Sequence, residues 1–160
     1  DLYELALVVG FNTSVIDNNP ETLTRERFPL ANELLLGDIE ELLKSSTIDS
    51  NTSIVLISHN HEYDETALLA VVNSPARYIG ILGNKRKVTA YFSRLSEIGV
   101  PEELMNRVYV PVGLDLGGQK TSEIALAIMA EILAVKYGRP GGFMSIRSIT
   151  REKERHDIYY

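Results

Sequence analysis

Two histidines and an acidic residue follow a short aliphatic run near the middle of the chain. The run is Ile54–Ile57, and Ser58, His59, His61 and Asp64 come after it. His59 and His61 are two residues apart, so both share one side if the segment is extended. Together with Asp64 they are candidates for a metal site. Spacing does not define the geometry of a turn, so we assign no metal and favour contact of Ser58, His59 and His61 with a polar ligand. In that interpretation Asp64 is the N-cap of a helix, and His59 lacks the orienting group that a general acid or base needs.

A basic loop follows the next aliphatic strand. Its residues are Gly83, Asn84, Lys85, Arg86 and Lys87. The three cations fall in what should be the first turn of a helix, where the macrodipole disfavours each positive charge by about 0.3–1 kcal/mol. A bound anion would reverse that penalty, and free backbone N–H groups at the helix start would bind it. The loop therefore predicts a phosphate-binding site, the alternative being a solvated basic loop.

Asp17 and Asn18 stand at the end of an earlier strand. In dinucleotide-binding folds an acidic residue at this position accepts hydrogen bonds from a ribose. The alternative is that Asp17 caps the turn that begins at Asn18. The residues alone do not separate the two interpretations, and both residues are kept as ligand candidates.

A glycine-rich loop, PVGLDLGG, occupies residues 111–118. Gly113 allows a positive φ or a close backbone approach, and we expect it at the same sheet edge as residues 58–61, the histidine loop. Asp115 either faces the ligand or fixes the loop by accepting backbone N–H groups. Both are candidate binding residues.

The elements that position these loops alternate along the chain. The pattern predicts strands at Phe11–Ile16, Ala31–Leu36, Ile54–Ile57, Arg77–Leu82 and Val108–Val110, and helices at Asp1–Val9, Asp38–Lys44, Asp64–Asn73, Val88–Ile98, Pro101–Asn106 and Thr121–Lys136, with one or two helical turns within Glu21–Phe28. Such alternation is typical of an α/β fold with a Rossmann-like, doubly wound and mainly parallel sheet. Ile54–Ile57, aliphatic throughout, is predicted to be buried on both faces. Loops at the carboxyl ends of such strands form the usual ligand site.

The sequence opens with a helix, and the first strand and glycine-rich turn of a dinucleotide-binding unit are absent from it. Without that strand, the sheet would have a gap between the strand at Phe11–Ile16 and the one at Ile54–Ile57. Unpaired strand edges are costly. Residues upstream of Asp1 are the favoured source of the strand, the other possibilities being a partner chain or direct closure of the gap. A homodimer is a secondary expectation.

Composition limits the class of protein. The chain has 160 residues, a formal net charge of −6, 44% hydrophobic residues and no cysteine. We expect one domain at residues 1–140 and a charged tail at residues 141–160. The acidic balance argues against nucleic-acid binding, and no apolar run reaches the ~20 residues of a membrane span. Without cysteine there is no thiolate chemistry, and a cytoplasmic location is expected.

Four blocks of the sequence resemble one family. SHNHEYDETALLAVV, ARYIGILGNKRK, PVGLDLGGQKTSEIALAIMAEILAV and GFNTSVIDNNPE are similar to the Rossmann domain of the xanthine dehydrogenase accessory (XdhC/CoxI) family. The resemblance covers residues 1–140, although Asn19 stands where that family usually has Arg. It implies an accessory or chaperone protein that binds molybdenum cofactor (molybdopterin), or a nucleotide such as NAD(P), and serves a molybdenum hydroxylase apoenzyme.

Two other functions remain possible from the residues. One is an NAD(P)-dependent oxidoreductase, which the missing glycine-rich turn disfavours. The other is a metal-dependent hydrolase built on His59, His61 and Asp64. Whether the protein is an enzyme stays open, and a non-catalytic role is favoured.

Overall fold

The computed structural model describes residues 1–58, 61–83 and 85–145, of which residues 61, 62 and 85–88 are described by their backbone alone. Helices and strands alternate through this part of the chain, as predicted. The helices are α1 (Leu2–Val8), α2 (Ile39–Ser45), α3 (His61–Val71), α4 (Lys85–Glu97), α5 (Glu102–Met105) and α6 (Thr121–Lys136). The strands are β1 (Ser14–Asp17), β2 (Glu33–Leu36), β3 (Ser53–Leu56), β4 (Tyr78–Ile81) and β5 (Val108–Tyr109).

The strands form two separate parallel sheets in the described part of the chain. One is β1–β2, with Ser14 in register with Glu33. The other is β3–β4–β5, in which Ser53 is in register with Tyr78 and Ile79 with Val108. The parallel α/β prediction is confirmed. Direct closure of the gap is not what the structure shows, since β1 and β3 are not neighbours in either sheet.

Helices cover both faces of the three-stranded sheet, and β4 is buried along its whole length. On one face Ile79 and Ile81 pack with buried residues of α2, α3 and α4, among them Leu43, Leu68, Val71 and Leu95. On the other face Tyr78 packs with Ile128, Met129 and Ile132 of α6, against which α1 also lies. Because side chains alternate along a strand, one four-residue strand serves two cores.

The prediction that Ile54–Ile57 is buried on both faces is correct only in part. Ile54 and Val55 pack against the two opposite cores but are only partly buried. Leu56 is buried, and Ile57 lies beyond the strand with 53% of its surface exposed. The reason is positional, because β4 lies between two strands whereas β3 has a neighbour on one side only among the described strands.

The predicted helix at Thr121–Lys136 is confirmed to the residue, whereas two other helices each begin three residues before their predicted starts. The helix α3 begins at His61 and α4 at Lys85. Glu21–Phe28 forms turns instead of helical turns, as expected for a segment too short to nucleate a helix without packing. None of the helices in the described ranges combines the length and apolar character that a membrane crossing requires.

Candidate functional site

Three loops lie side by side where the strands of the larger sheet end. Leu82 N donates a hydrogen bond to Leu56 O at 2.9 Å, and Val112 N donates one to Ile81 O at 3.1 Å. These bonds extend the strand pairing into the loops. We call this edge the carboxyl rim, defined by Ile57–Ser58, Leu82–Gly83 and Pro111–Gly118.

The structure brings several of the predicted site residues to the carboxyl rim. Ser58 and Gly83 are both half-buried there. His61 is the first residue of α3. His59 and Asn84 lie outside the described residues, so their predicted roles stay predictions.

The helix α4 begins with three consecutive cationic residues. Lys85, Arg86 and Lys87 are its first three positions, and its first turn contains no acidic residue. A helix start carries a partial positive charge and unsatisfied N–H groups. An anion bound at this point would offset the unfavourable placement of three cationic residues at a helix start.

Asp64 does not cap α3. It is the fourth residue of that helix and only 4% exposed. Its Oδ2 accepts a 3.0 Å hydrogen bond from the Tyr91 hydroxyl of α4. Burial, and next the hydrogen bond to the Asp64 carboxylate, raise the pKa of Tyr91 well above its ordinary value. The sequence pattern missed Tyr91, because an aromatic residue that pairs with an acid across two helices leaves no local signal.

Asp17 lies at the end of β1, in the smaller sheet. Its Oδ1 accepts a 2.9 Å hydrogen bond from Asn19 N, and its Oδ2 accepts one of 2.9 Å from the Thr22 hydroxyl. The turn-capping interpretation is therefore seen in the structure, with Asn18 exposed beside it. Ribose binding by Asp17 stays a prediction.

Gly113 is fixed against α6. Its φ is +100°, and its N–H donates a 3.0 Å hydrogen bond to Glu131 Oε1. A Cβ on this residue would lie 3.2 Å from the backbone nitrogen of Ile128. Gly113 thus allows the loop to cross the helix closely, and a direct ligand contact is not needed to explain it.

Asp115 is exposed and lines a cleft of about 290 Å³ between the loop and the start of α6. The other residues of the cleft include Leu116, Gly118, Gln119 and Ile124. Glu123 Oε2 accepts backbone hydrogen bonds from Gln119 and Lys120 at 3.0 and 3.1 Å. The loop is therefore fixed by Glu123 on its helix side, and Asp115 remains available to solvent.

Large apolar side chains are exposed along the carboxyl rim. Ile57 is 53% exposed, Leu82 37% and Leu116 57%. They lie at the same edge as the cationic start of α4. This combination suits a ligand with an anionic group and a flat apolar body.

The sequence also missed a polar contact beneath the rim. The Tyr78 hydroxyl of β4 donates a 2.5 Å hydrogen bond to Glu131 Oε1, the same atom that accepts from Gly113. Tyr109 stacks on Tyr78 with ring centroids 4.7 Å apart. A tyrosine in a buried strand requires a polar partner for its hydroxyl, which is the signal that could have pointed to Glu131.

Among the side chains that the structure describes, no three metal-binding residues cluster. Asp64, the third member of the candidate set, bonds to Tyr91. The other two members, His59 and His61, are outside the described side chains. The metal-site hypothesis thus has no support from the described residues.

Comparison with known proteins finds a matching family and a similar crystal structure. The family model of the XdhC Rossmann domain matches residues 1–132. A crystal structure of a xanthine dehydrogenase from Bacillus halodurans superposes with a TM-score of 0.75 at 29% identity, covering 86% of this chain and 39% of that one.

Three curated relatives are similar over much of the chain. The "uncharacterized protein YqeB" of Escherichia coli (strain K12) is 35% identical over 139 residues, which is 87% of this chain and 26% of the relative. A probable xanthine dehydrogenase subunit of Bacillus subtilis (strain 168) is 27% identical, covering 84% of this chain and 39% of the relative. The "molybdenum cofactor insertion chaperone PaoD" of Escherichia coli (strain K12) is 28% identical, covering 58% and 29%. The chain thus spans between a quarter and two fifths of the length of these relatives.

Proposed function

Because the chain belongs to the XdhC Rossmann-domain family, we propose that it is an accessory domain that holds an anionic cofactor during maturation of a molybdenum hydroxylase. The names of two relatives, a molybdenum cofactor insertion chaperone and a probable xanthine dehydrogenase subunit, support an accessory role in molybdenum enzyme maturation. The client in this proposal is the apoenzyme of such a hydroxylase.

The observation that carries the proposal is the cationic start of α4 at the carboxyl rim. Lys85, Arg86 and Lys87 occupy the first turn without an acidic residue. Three cations next to the positive end of a helix dipole are unfavourable unless an anion lies nearby. A phosphate group is the expected anion, since lysine and arginine both bind it.

The residues at the carboxyl rim fit a phosphate-bearing ring compound such as molybdenum cofactor or a nucleotide. Lys85–Lys87 and the backbone at Gly83 would hold the phosphate, while Ile57 and Leu82 would cover the ring. The chain has no cysteine and so no thiolate to bind molybdenum. Retention through phosphate and ring, with no chemical change to the ligand, is the role proposed for this domain.

An NAD(P)-dependent oxidoreductase is the second candidate. The parallel fold is compatible with a dinucleotide. Both carboxylate oxygens of Asp17 accept a hydrogen bond in their own turn, which leaves one acceptor site on each oxygen for the ribose contact that this function requires. A homodimer and a cytoplasmic location stay predictions, and size-exclusion chromatography with light scattering would test the first.

The test is ligand-induced stabilisation of the purified chain. We expect pyrophosphate, ADP and a phosphorylated pterin to raise the melting temperature, as any ligand that binds only the folded state does. Lys85→Glu combined with Arg86→Glu should abolish this rise and preserve the fold. The matched control is Lys44→Glu with Arg139→Glu, which changes the net charge equally at two exposed positions and should retain the rise.

The outcomes separate the candidates. A rise with NAD(P) alone would favour the oxidoreductase. An unchanged rise in the Lys85/Arg86 double variant would contradict the assignment of the anion site to α4.

A further inference from the structure

We propose that Asp64 and Tyr91 are positioning residues that hold the cationic start of α4 at the carboxyl rim. This inference rests on the proposed function, because it concerns the same anion site. Neither residue contacts the ligand in this proposal. Each acts through the placement of α4 relative to α3.

The contact joins the two helices that follow the rim loops. The helix α3 begins directly after the histidine loop, and α4 begins directly after the loop at Gly83. Asp64 is the fourth residue of α3 and Tyr91 the seventh of α4. Their 3.0 Å hydrogen bond therefore lies within about two helical turns of both helix starts.

Both partners of this contact are buried. Asp64 is 4% exposed and Tyr91 is 8% exposed. A buried carboxylate is costly unless hydrogen bonds compensate it, so the Tyr91 hydroxyl must stay in one place for Asp64 to be tolerated. The contact thereby favours one placement of α4 relative to α3. An apolar contact of similar size would define that placement less strictly, because it is not directional.

A second contact supports the same placement. Arg94 Nε lies 2.7 Å from Glu65 Oε1, one helical turn further along α4 from Tyr91. The Arg94 side chain is largely exposed, and ion pairs of this kind contribute little on their own. The ion pair nevertheless agrees in geometry with the buried contact. Asp64 and Glu65 are adjacent on α3, and their partners Tyr91 and Arg94 lie one turn apart on the same helix, α4.

The need for such a device follows from the charge of α4. Its first turn contains three cations and no acid, and the helix dipole disfavours each of these charges by about 0.3–1 kcal/mol when no anion is bound. The described core contacts of α4 begin at Tyr91 and include Leu95. The Asp64–Tyr91 contact is thus the described anchor nearest the anion site.

The experiment compares two buried tyrosines that differ in location. Tyr91→Phe removes the hydroxyl that bonds to Asp64, and Tyr78→Phe removes one that bonds to Glu131 beneath another loop. Both variants lose a buried tyrosine–carboxylate hydrogen bond and should lose similar stability. Calorimetric titration with pyrophosphate is done at a temperature where both variants are fully folded.

We expect Tyr91→Phe to weaken pyrophosphate binding about fivefold, as is typical of couplings through a packed network. Tyr78→Phe should bind within about twofold of the original chain. Amide hydrogen exchange adds a readout that needs no ligand, and the amides of residues 85–90 should exchange about tenfold faster in Tyr91→Phe only. Asp64→Asn, which keeps an oxygen acceptor for Tyr91, should retain both properties.

If the unaltered chain binds pyrophosphate, equal binding by Tyr91→Phe and Tyr78→Phe would overturn the positioning role, as would an Asp64→Asn variant as weak as Tyr91→Phe. The hydrogen-exchange data distinguish a failure of the positioning role from a failure of the proposed function. If the unaltered chain fails to bind pyrophosphate but Tyr91→Phe still exposes residues 85–90, the anion site is wrong and the anchoring of α4 stands. If exchange at residues 85–90 is unchanged, the anchoring is wrong whatever the chain binds.

Discussion

Tyr78 combines two opposite properties, since it is buried in the central strand and carries a polar hydroxyl. It is 1% exposed, and its hydroxyl bonds to Glu131. Burial, followed by this bond to the carboxylate, raises the pKa of Tyr78 far above its ordinary value. The protonated form is therefore strongly favoured in the folded state.

This raised pKa predicts a loss of stability in alkali. Below pH about 10, Tyr78 is protonated in both states and its contribution is complete. Above that pH the unfolded chain releases the proton while the folded chain keeps it, so the free energy of unfolding falls as pH rises. When the pH rises from about 9 to about 11, the free energy of unfolding should fall by about 1 kcal/mol less in Tyr78→Phe than in the original chain. Urea unfolding at the two pH values measures this difference. Tyr137→Phe, at an exposed position, should follow the original chain; an equal pH dependence in Tyr78→Phe would contradict the assignment.

Gly113 gives a second prediction at the residue scale. Alanine there would adopt a positive φ of +100° and place its Cβ 3.2–3.3 Å from the backbone of α6. We expect a loss of about 2 kcal/mol in the free energy of unfolding. Gly117 belongs to the same loop, has a φ of +74° and has nothing within 4 Å of its Cβ position, so Gly117→Ala should cost only about 1 kcal/mol. Equal costs would mean that the close approach to α6 is unimportant.

At the scale of elements, Arg107 joins the end of α3 to the start of β5. Its guanidinium donates hydrogen bonds to the carbonyl oxygens of Val72, Ser74 and Ala76 at 3.1, 3.1 and 2.8 Å. These carbonyls belong to the last turn after α3 and to the loop before β4. The arginine thereby fixes the entry of the central strand.

We predict that Arg107→Met lowers the free energy of unfolding by about 2–3 kcal/mol, because three carbonyl groups lose a charged donor. Thermal and urea unfolding would measure this loss. Arg139→Met, at an exposed position, is the control and should stay within about 0.5 kcal/mol of the original chain. A similar result for the two variants would show that water replaces the guanidinium without cost.

The starts of α3 and α4 show where local sequence reasoning fails. Asp64 resembles an N-cap in type and position, but the helix begins three residues earlier and buries it against Tyr91. The information that decides the case lies 27 residues further along the chain. By contrast, both ends of Thr121–Lys136 could be placed, since Glu123 and the apolar pattern of that helix are local signals.

At the scale of the whole molecule, the fold class and family could be predicted because helix and strand patterns repeat in order along the chain. The burial of each strand could not be predicted from the sequence. Ile54–Ile57 and Tyr78–Ile81 are similarly apolar, yet of these two segments only Tyr78–Ile81 lies between two described strands. The candidate site could be assigned to one edge of the sheet by topology, whereas the contacts of Tyr91, Glu131 and Arg107 depend on long-range packing.

The division into two sheets predicts an exchange pattern. In a parallel strand, successive N–H groups point to opposite sides, so a strand with one neighbour protects every second amide. We expect slow and fast amides to alternate along β1 and β3, and all amides of β4 to be slow, in hydrogen-exchange measurements by NMR. Uniform protection of β3 would show that a further strand occupies its open side.

Among the described strands, β1 and β3 each have one free edge, which bears on storage of the protein at high concentration. An uncovered strand border of one molecule is a template for the border of another. Neither strand contains a proline, which is one of the residues that prevent edge-to-edge pairing. Turbidity of concentrated samples should therefore rise with time, and a short apolar peptide that fills the border should slow the rise.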